Sequence, residues 1–115
     1  MTRIAAVGDI HVGRDSVGQV AEGFRHLAAN ADALLLAGDL TRRGTGVEAE
    51  LVVTELAGVL DAGVPVIAVL GNHDFHADAV EEATAVLVAG GVQVLDGTTA
   101  VVEAGGVSVG VVMRL

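Results

Sequence analysis

The sequence predicts an α/β fold, a mostly parallel sheet with flanking helices. Three observations lead there. The runs Ile4–Val7, Leu34–Ala37 and Val66–Leu70 are aliphatic with no polar residue among them. Such runs mark strands buried on both faces, the usual state in a parallel sheet. Between them, apolar residues recur at intervals of three and four, the period of a helix with one buried face. Each run also ends in a glycine and then an acid or amide: Gly8-Asp9, Gly38-Asp39 and Gly71-Asn72. Three strands therefore deliver polar chemistry to one sheet edge, their carboxyl ends, where open α/β sheets bind ligands.

The elements follow in order. Strand one is Arg3–Val7, and its loop Gly8–Asp15 carries Asp9 and His11. Helix one is expected from Ser16 to near Asn30. Ser16 and Gln19 have capping-box spacing, and Val17, Val20, Phe24, Leu27 and Ala28 form its apolar face. Strand two is Ala33–Ala37, followed by the loop Gly38–Gly44 with Asp39, Arg42 and Arg43. Thr45 and Glu48 cap helix two, which runs to Ala62 with Val52, Leu56, Val59 and Leu60 inward. Gly63 ends it and Pro65 blocks re-entry into helix. Strand three is Val66–Leu70, with its loop Gly71–Ala77. Asp78 and Glu81 resemble a third cap, for a helix to Ala89 with Val80, Ala83, Leu87 and Val88 inward. Val92–Leu95 is a fourth strand, parallel by its position after a helix. Thr99–Glu103 and Val107–Met113 flank Gly105-Gly106 and read as an antiparallel hairpin. Successive strand–helix–strand units imply right-handed crossovers and helices on both faces of the sheet.

Length and composition bound the function. The 115 residues suit one domain, 1–115. The chain stops at Leu115 just after the apolar Val111, Val112 and Met113, so the domain is expected to be cut short at its C-terminus. An open sheet edge near Val107–Leu115 then predicts self-association. Hydrophobic residues make up 52% and mean hydropathy is +0.65, which excludes a disordered chain. Phe24 and Phe75 are the only aromatics, so the core must be built of Val, Leu, Ile and Ala. Net charge is −9 and lysine is absent, which argues against non-specific nucleic-acid binding but leaves nucleic acid open as a substrate. Without cysteine there is no disulfide, thiolate ligand or Cys nucleophile. No apolar run reaches the roughly 18–20 residues of a membrane span. The N-terminus reads as a strand and not a signal peptide, so the expected location is cytoplasmic.

Asp9 and His11 stand one residue apart. In an extended segment their side chains share one side. Carboxylate plus imidazole suits a borderline divalent ion. Asp39 adds a carboxylate able to bridge two ions, and Asn72 a neutral carbonyl oxygen. Such donors suit a two-metal site that clamps a phosphate and activates water. His73, next to a ligand but facing the other way in an extended backbone, is placed as the general acid. Each motif alone has a plainer reading, since Gly-Asp after a strand is a common turn signal. Together they share one edge.

Gly-Asp-Ile-His, Gly-Asp-Leu-Thr-Arg-Arg-Gly and Gly-Asn-His-Asp, in this order after successive strands, resemble the calcineurin-like metallophosphoesterases. The resemblance covers Ile4–Asp74. It implies a four-layer α/β/β/α sandwich of which this chain supplies the N-terminal part. It implies two divalent ions (Mn, Fe, Zn or Ni), with Asp9 and His11 on one, Asp39 bridging and Asn72 on the other. Asn72, His73 and Arg43 would contact the phosphate ester, and His73 would protonate the leaving oxygen. The family's later histidine segments are absent: no histidine follows His76. Arg42 also stands where the Ser/Thr phosphatase branch has an acid. The expected function is therefore metal-dependent hydrolysis of a phosphomonoester or phosphodiester. The alternative is a catalytically incomplete fragment, or a non-catalytic metal-binding or interaction domain. No P-loop motif or Asp-x-Asp first loop is present, which removes two other phosphate-handling classes.

Overall fold

A computed structural model describes residues 2–13, 18–41, 44–70, 80–95 and 99–112. Strands β1 (Ile4–Val7), β2 (Ala33–Ala37), β3 (Val66–Val69) and β4 (Val92–Leu95) form one sheet in the order β1-β2-β3-β4. All three pairings are parallel, with Ile4 opposite Ala33, Leu34 opposite Val66 and Val66 opposite Val92. The α/β class and the first three strands are as the aliphatic runs predict, and β4 is parallel as its position after a helix predicts. β3 is buried along its whole length, whereas the edge strand β1 alternates exposed and half-buried residues.

The helices lie on one face of this sheet, which corrects the expectation of helices on both. Leu34, Leu36, Val66, Ala68 and Val92 pack with Val20, Val52, Val59, Ala83 and Leu87 of the helices and with Phe24 and Leu56 at helix ends. The strand order explains this. When consecutive strands are laid down side by side with crossovers of one hand, every helix falls on the same side. The opposite face, Leu35, Ile67 and Leu95, packs instead against Ala100, Val102, Val109 and Val111 of a hairpin. That hairpin is β5 (Thr99–Ala104) with β6 (Val107–Val112), antiparallel, with Ala104 opposite Val107. Its two turn residues, Gly105 and Gly106, have φ of 61° and 80°, the conformation of a two-residue turn that glycine adopts without strain. The turn is tied to the sheet: the Thr2 hydroxyl donates to the Ala104 carbonyl, and Asp32 accepts the Arg3 amide while lying against Gly105.

Two predicted helices are interrupted. Helix one is α1 (Gln19–Gly23) and α2 (Leu27–Asn30), with Gly23 at the break. A helix interior loses about 1 kcal/mol at glycine relative to alanine, enough to end so short an element. The residue at the N-terminus of α1 is Gly18, with no side-chain cap hydrogen bond, and the predicted cap Ser16 lies outside the described residues. Helix two is α3 (Gly46–Glu55) and α4 (Ala57–Asp61), divided at Leu56, whose amide still reaches Val52. Its predicted capping box is present: the Thr45 hydroxyl accepts the Glu48 amide and the Glu48 carboxylate accepts the Thr45 amide. The last helix, α5, spans Val80–Ala89. Ala83 and Leu87 are buried as predicted, but Val88 is 56% exposed. Five residues beyond Ala83, it has rotated off the core stripe. The predicted cap Asp78 lies outside the described residues.

Candidate metal centre

The carboxyl ends of β1 and β2 do not separate where the strands end. The Asp9 amide donates to Gly38 O, the His11 amide to Asp39 O and the Val12 amide to Leu40 O, at 3.1, 3.0 and 2.8 Å. Val12 then makes an isolated parallel bridge with Thr41. Two loops that would otherwise be independent are thus joined by backbone hydrogen bonds for four further residues. Val12, Leu40 and Thr41 are buried beneath them.

In this paired segment Asp9, His11 and Asp39 have φ of 56°, 48° and 50°. They are the only non-glycine residues in the left-handed region among those described. The region costs an L-residue about 1 kcal/mol or more, less for Asp, whose short side chain tolerates it. Strain of this kind collects at functional sites because the surrounding structure must over-determine it. The finding corrects one step of the sequence reasoning. Asp9 and His11 do come together, but through two left-handed residues and not through the alternation of an extended strand.

One ligand atom from each of Asp9, His11 and Asp39 lies within 4.8 Å of the others. His11 Nε2 is 3.9 Å from Asp9 Oδ1, too far for a hydrogen bond. Two ligands that each stand ~2.1 Å from one ion can be at most ~4.2 Å apart. The His11–Asp9 separation meets that limit, and with every pair within 4.8 Å none would have to close by more than about 0.6 Å. The donor set of two carboxylates and one imidazole fits a divalent ion of mixed oxygen and nitrogen preference. The Asp9 side chain is 74% exposed and His11 36%, so an ion could enter from solvent.

The structure thus brings together three of the sequence-predicted site residues. Asn72, His73 and Arg43 lie outside the described residues. Sequence reasoning missed two supports. Thr41 is buried, and its hydroxyl accepts the Gly44 amide at 2.8 Å. Glu55 is buried on α3 and accepts the Gly18 amide at 2.6 Å. The signal for Glu55 was legible. It falls on the same helical stripe as Val52 and Leu56, where an acid is out of place.

A parallel sheet that joins its first two strand ends around two carboxylates and an imidazole defines an α/β protein with a candidate metal centre. The chain belongs to the calcineurin-like phosphoesterase family, whose model matches residues 2–102. Solved structures of similar fold include the phosphopantetheinyl hydrolase from Mycobacterium tuberculosis, at 18% identity and a TM-score of 0.59. The alignment covers 99% of this chain and 42% of that one, so the chain spans less than half the length of this structural relative. No curated protein sequence matches the chain. No described helix is long and apolar enough to cross a membrane.

Proposed function

We propose that the chain carries the first metal-binding half of a phosphoesterase that hydrolyses a phosphomonoester or phosphodiester at a two-metal centre. The observation that carries this reading is the convergence of Asp9, His11 and Asp39 within 4.8 Å on strained, hydrogen-bonded loops. Asp9 and His11 would hold one ion, Asp39 would bridge, and Asn72 would serve the second. When bound, such ions neutralise phosphoryl oxygens and lower the pKa of an attacking water. Mn, Fe, Zn and Ni all suit these donors. His73 gives its proton to the departing alkoxide oxygen, and Arg43 and Asn72 hold the phosphoryl group. The structural relative's name assigns it a phosphopantetheinyl substrate. At 18% identity that likeness speaks for fold alone, so generic nitrophenyl esters are the appropriate probes here.

A second reading has its own support. Three donors complete the shell of one ion only with water, and the described residues hold just one such group. A chain that fills one ion would bind metal without turning over ester. The test is Mn²⁺-dependent hydrolysis of nitrophenyl phosphate and bis-nitrophenyl phosphate by the purified chain, beside Asp39→Ala. Turnover that disappears in Asp39→Ala supports the phosphoesterase. Mn²⁺ binding with no turnover supports the one-ion reading, and absence of binding removes both.

A further inference from the structure

Glu55 is a carboxylate in the wrong place for simple packing. It is 6% exposed and lies on the stripe of α3 that also buries Val52 and Leu56. Burying a charge there costs free energy that an aliphatic side chain would not incur. Its recorded partner is the amide of Gly18, at 2.6 Å, a short charge-assisted hydrogen bond. Gly18 is itself exposed, so its amide could be satisfied by water without any protein acceptor. What the contact supplies is therefore position.

The described residues on either side of positions 14–17 are each held by the fold. On the N-terminal side, Val12 is bridged to Thr41 and donates to Leu40. On the C-terminal side, Gly18, in the left-handed region at φ 88°, is held by Glu55. The helix that supplies Glu55 begins at Thr45, whose capping box fixes it directly after the Asp39 loop. Both candidate metal loops are thus referred to α3, one through the chain and the other through a side chain.

We propose that Glu55 is a positioning residue for the candidate metal centre, fixing the far end of the loop that carries Asp9 and His11 by accepting the Gly18 amide. The inference rests on the reading of Asp9, His11 and Asp39 as metal ligands. Glu55→Gln keeps an acceptor of the same reach. Glu55→Leu keeps the buried bulk and removes the acceptor. Calorimetric titration with Mn²⁺ alone should show Glu55→Gln within about twofold of wild type and Glu55→Leu weaker by roughly tenfold, the lower end of what supporting residues around metal ligands contribute. Amide exchange in residues 8–13 should accelerate in Glu55→Leu and not in Glu55→Gln. Wild-type affinity in Glu55→Leu overturns the proposal while leaving the metal centre intact. Lack of Mn²⁺ binding by the wild-type chain overturns both together. Should Glu55→Leu fail to fold, exchange of the Gly18 amide in the wild-type chain decides: protection supports the contact, and solvent-like exchange overturns it.

Discussion

Asp39→Asn should move stability in opposite directions with and without metal. Asparagine keeps the side-chain shape, a carbonyl acceptor and a tolerance for the left-handed region, so the strained turn at φ 50° persists. What changes is one charge. Without metal, Asp39 stands close to Asp9 in the cluster spanned by 4.8 Å. Two like charges about 4 Å apart in a water-like dielectric repel by about 1 kcal/mol, and salt screens this further. Asp9 is 74% exposed, so the water-like value is the appropriate ceiling. Asp39→Asn should therefore raise the melting temperature in chelator and low salt by as much as about 4 °C. With Mn²⁺ at about a hundred times the wild-type Kd, binding adds about 2.7 kcal/mol to the wild type. If the variant binds about a hundredfold more weakly, the same concentration adds only about 0.4 kcal/mol to it. The order of melting temperatures should invert on adding metal. Differential scanning calorimetry in EDTA and in Mn²⁺ reads both halves. A variant that melts below wild type in EDTA and gains as much from Mn²⁺ would show that Asp39 is only a turn residue, and the metal assignment would fall.

In whichever form of the protein shows esterase activity, His73→Ala should lower kcat by roughly a hundredfold. The loss should shrink for a nitrophenolate leaving group, while metal content by elemental analysis stays unchanged. Gly105→Ala should cost about 1–2 kcal/mol in urea unfolding, because its Cβ would sit 2.9 Å from Asp32 Oδ2 at a φ of 61°. Gly90→Ala should destabilise more than Gly46→Ala. The added methyl at Gly90 meets both Val53 γ-carbons at 2.6 Å, a stiff branched side chain, whereas at Gly46 it meets the movable end of Glu82. Thr45→Ala should cost about 1 kcal/mol by loss of the capping box.

The sheet was legible because its signal is composition. Runs such as Val66–Val69 have no polar residue to misplace, and the structure buries all four. The helix interiors were less so. Periodicity carried the prediction across Gly23, where glycine's backbone freedom ends the helix, and across Leu56, a good helix former whose local preference does not account for the break. The side of the sheet taken by the helices depends on strand order, which no single segment encodes. It became decidable only when β1 to β4 proved to be consecutive neighbours. At the site, the residue types were readable from Asp9, His11 and Asp39, but their backbone was not. Gly-Asp is compatible with several turns, and the left-handed conformation follows from the pairing of Asp9 with Gly38 and His11 with Asp39. Glu55 stood out as an acid on an apolar stripe, but its partner Gly18, 37 residues away in sequence, did not.

The candidate ligands straddle one seam of the sheet. Asp9 and His11 come from β1, which lies at the sheet's edge, and Asp39 comes from its neighbour β2, whose other side is covered by β3. An edge strand has ladder bonds on one side only, and β1 is also less buried than β2. It is the strand most ready to peel away. An ion gripped from both sides would act as a rivet through that joint. Chelation should then be felt first as fraying along Ile4–Val7, well before the interior strands loosen.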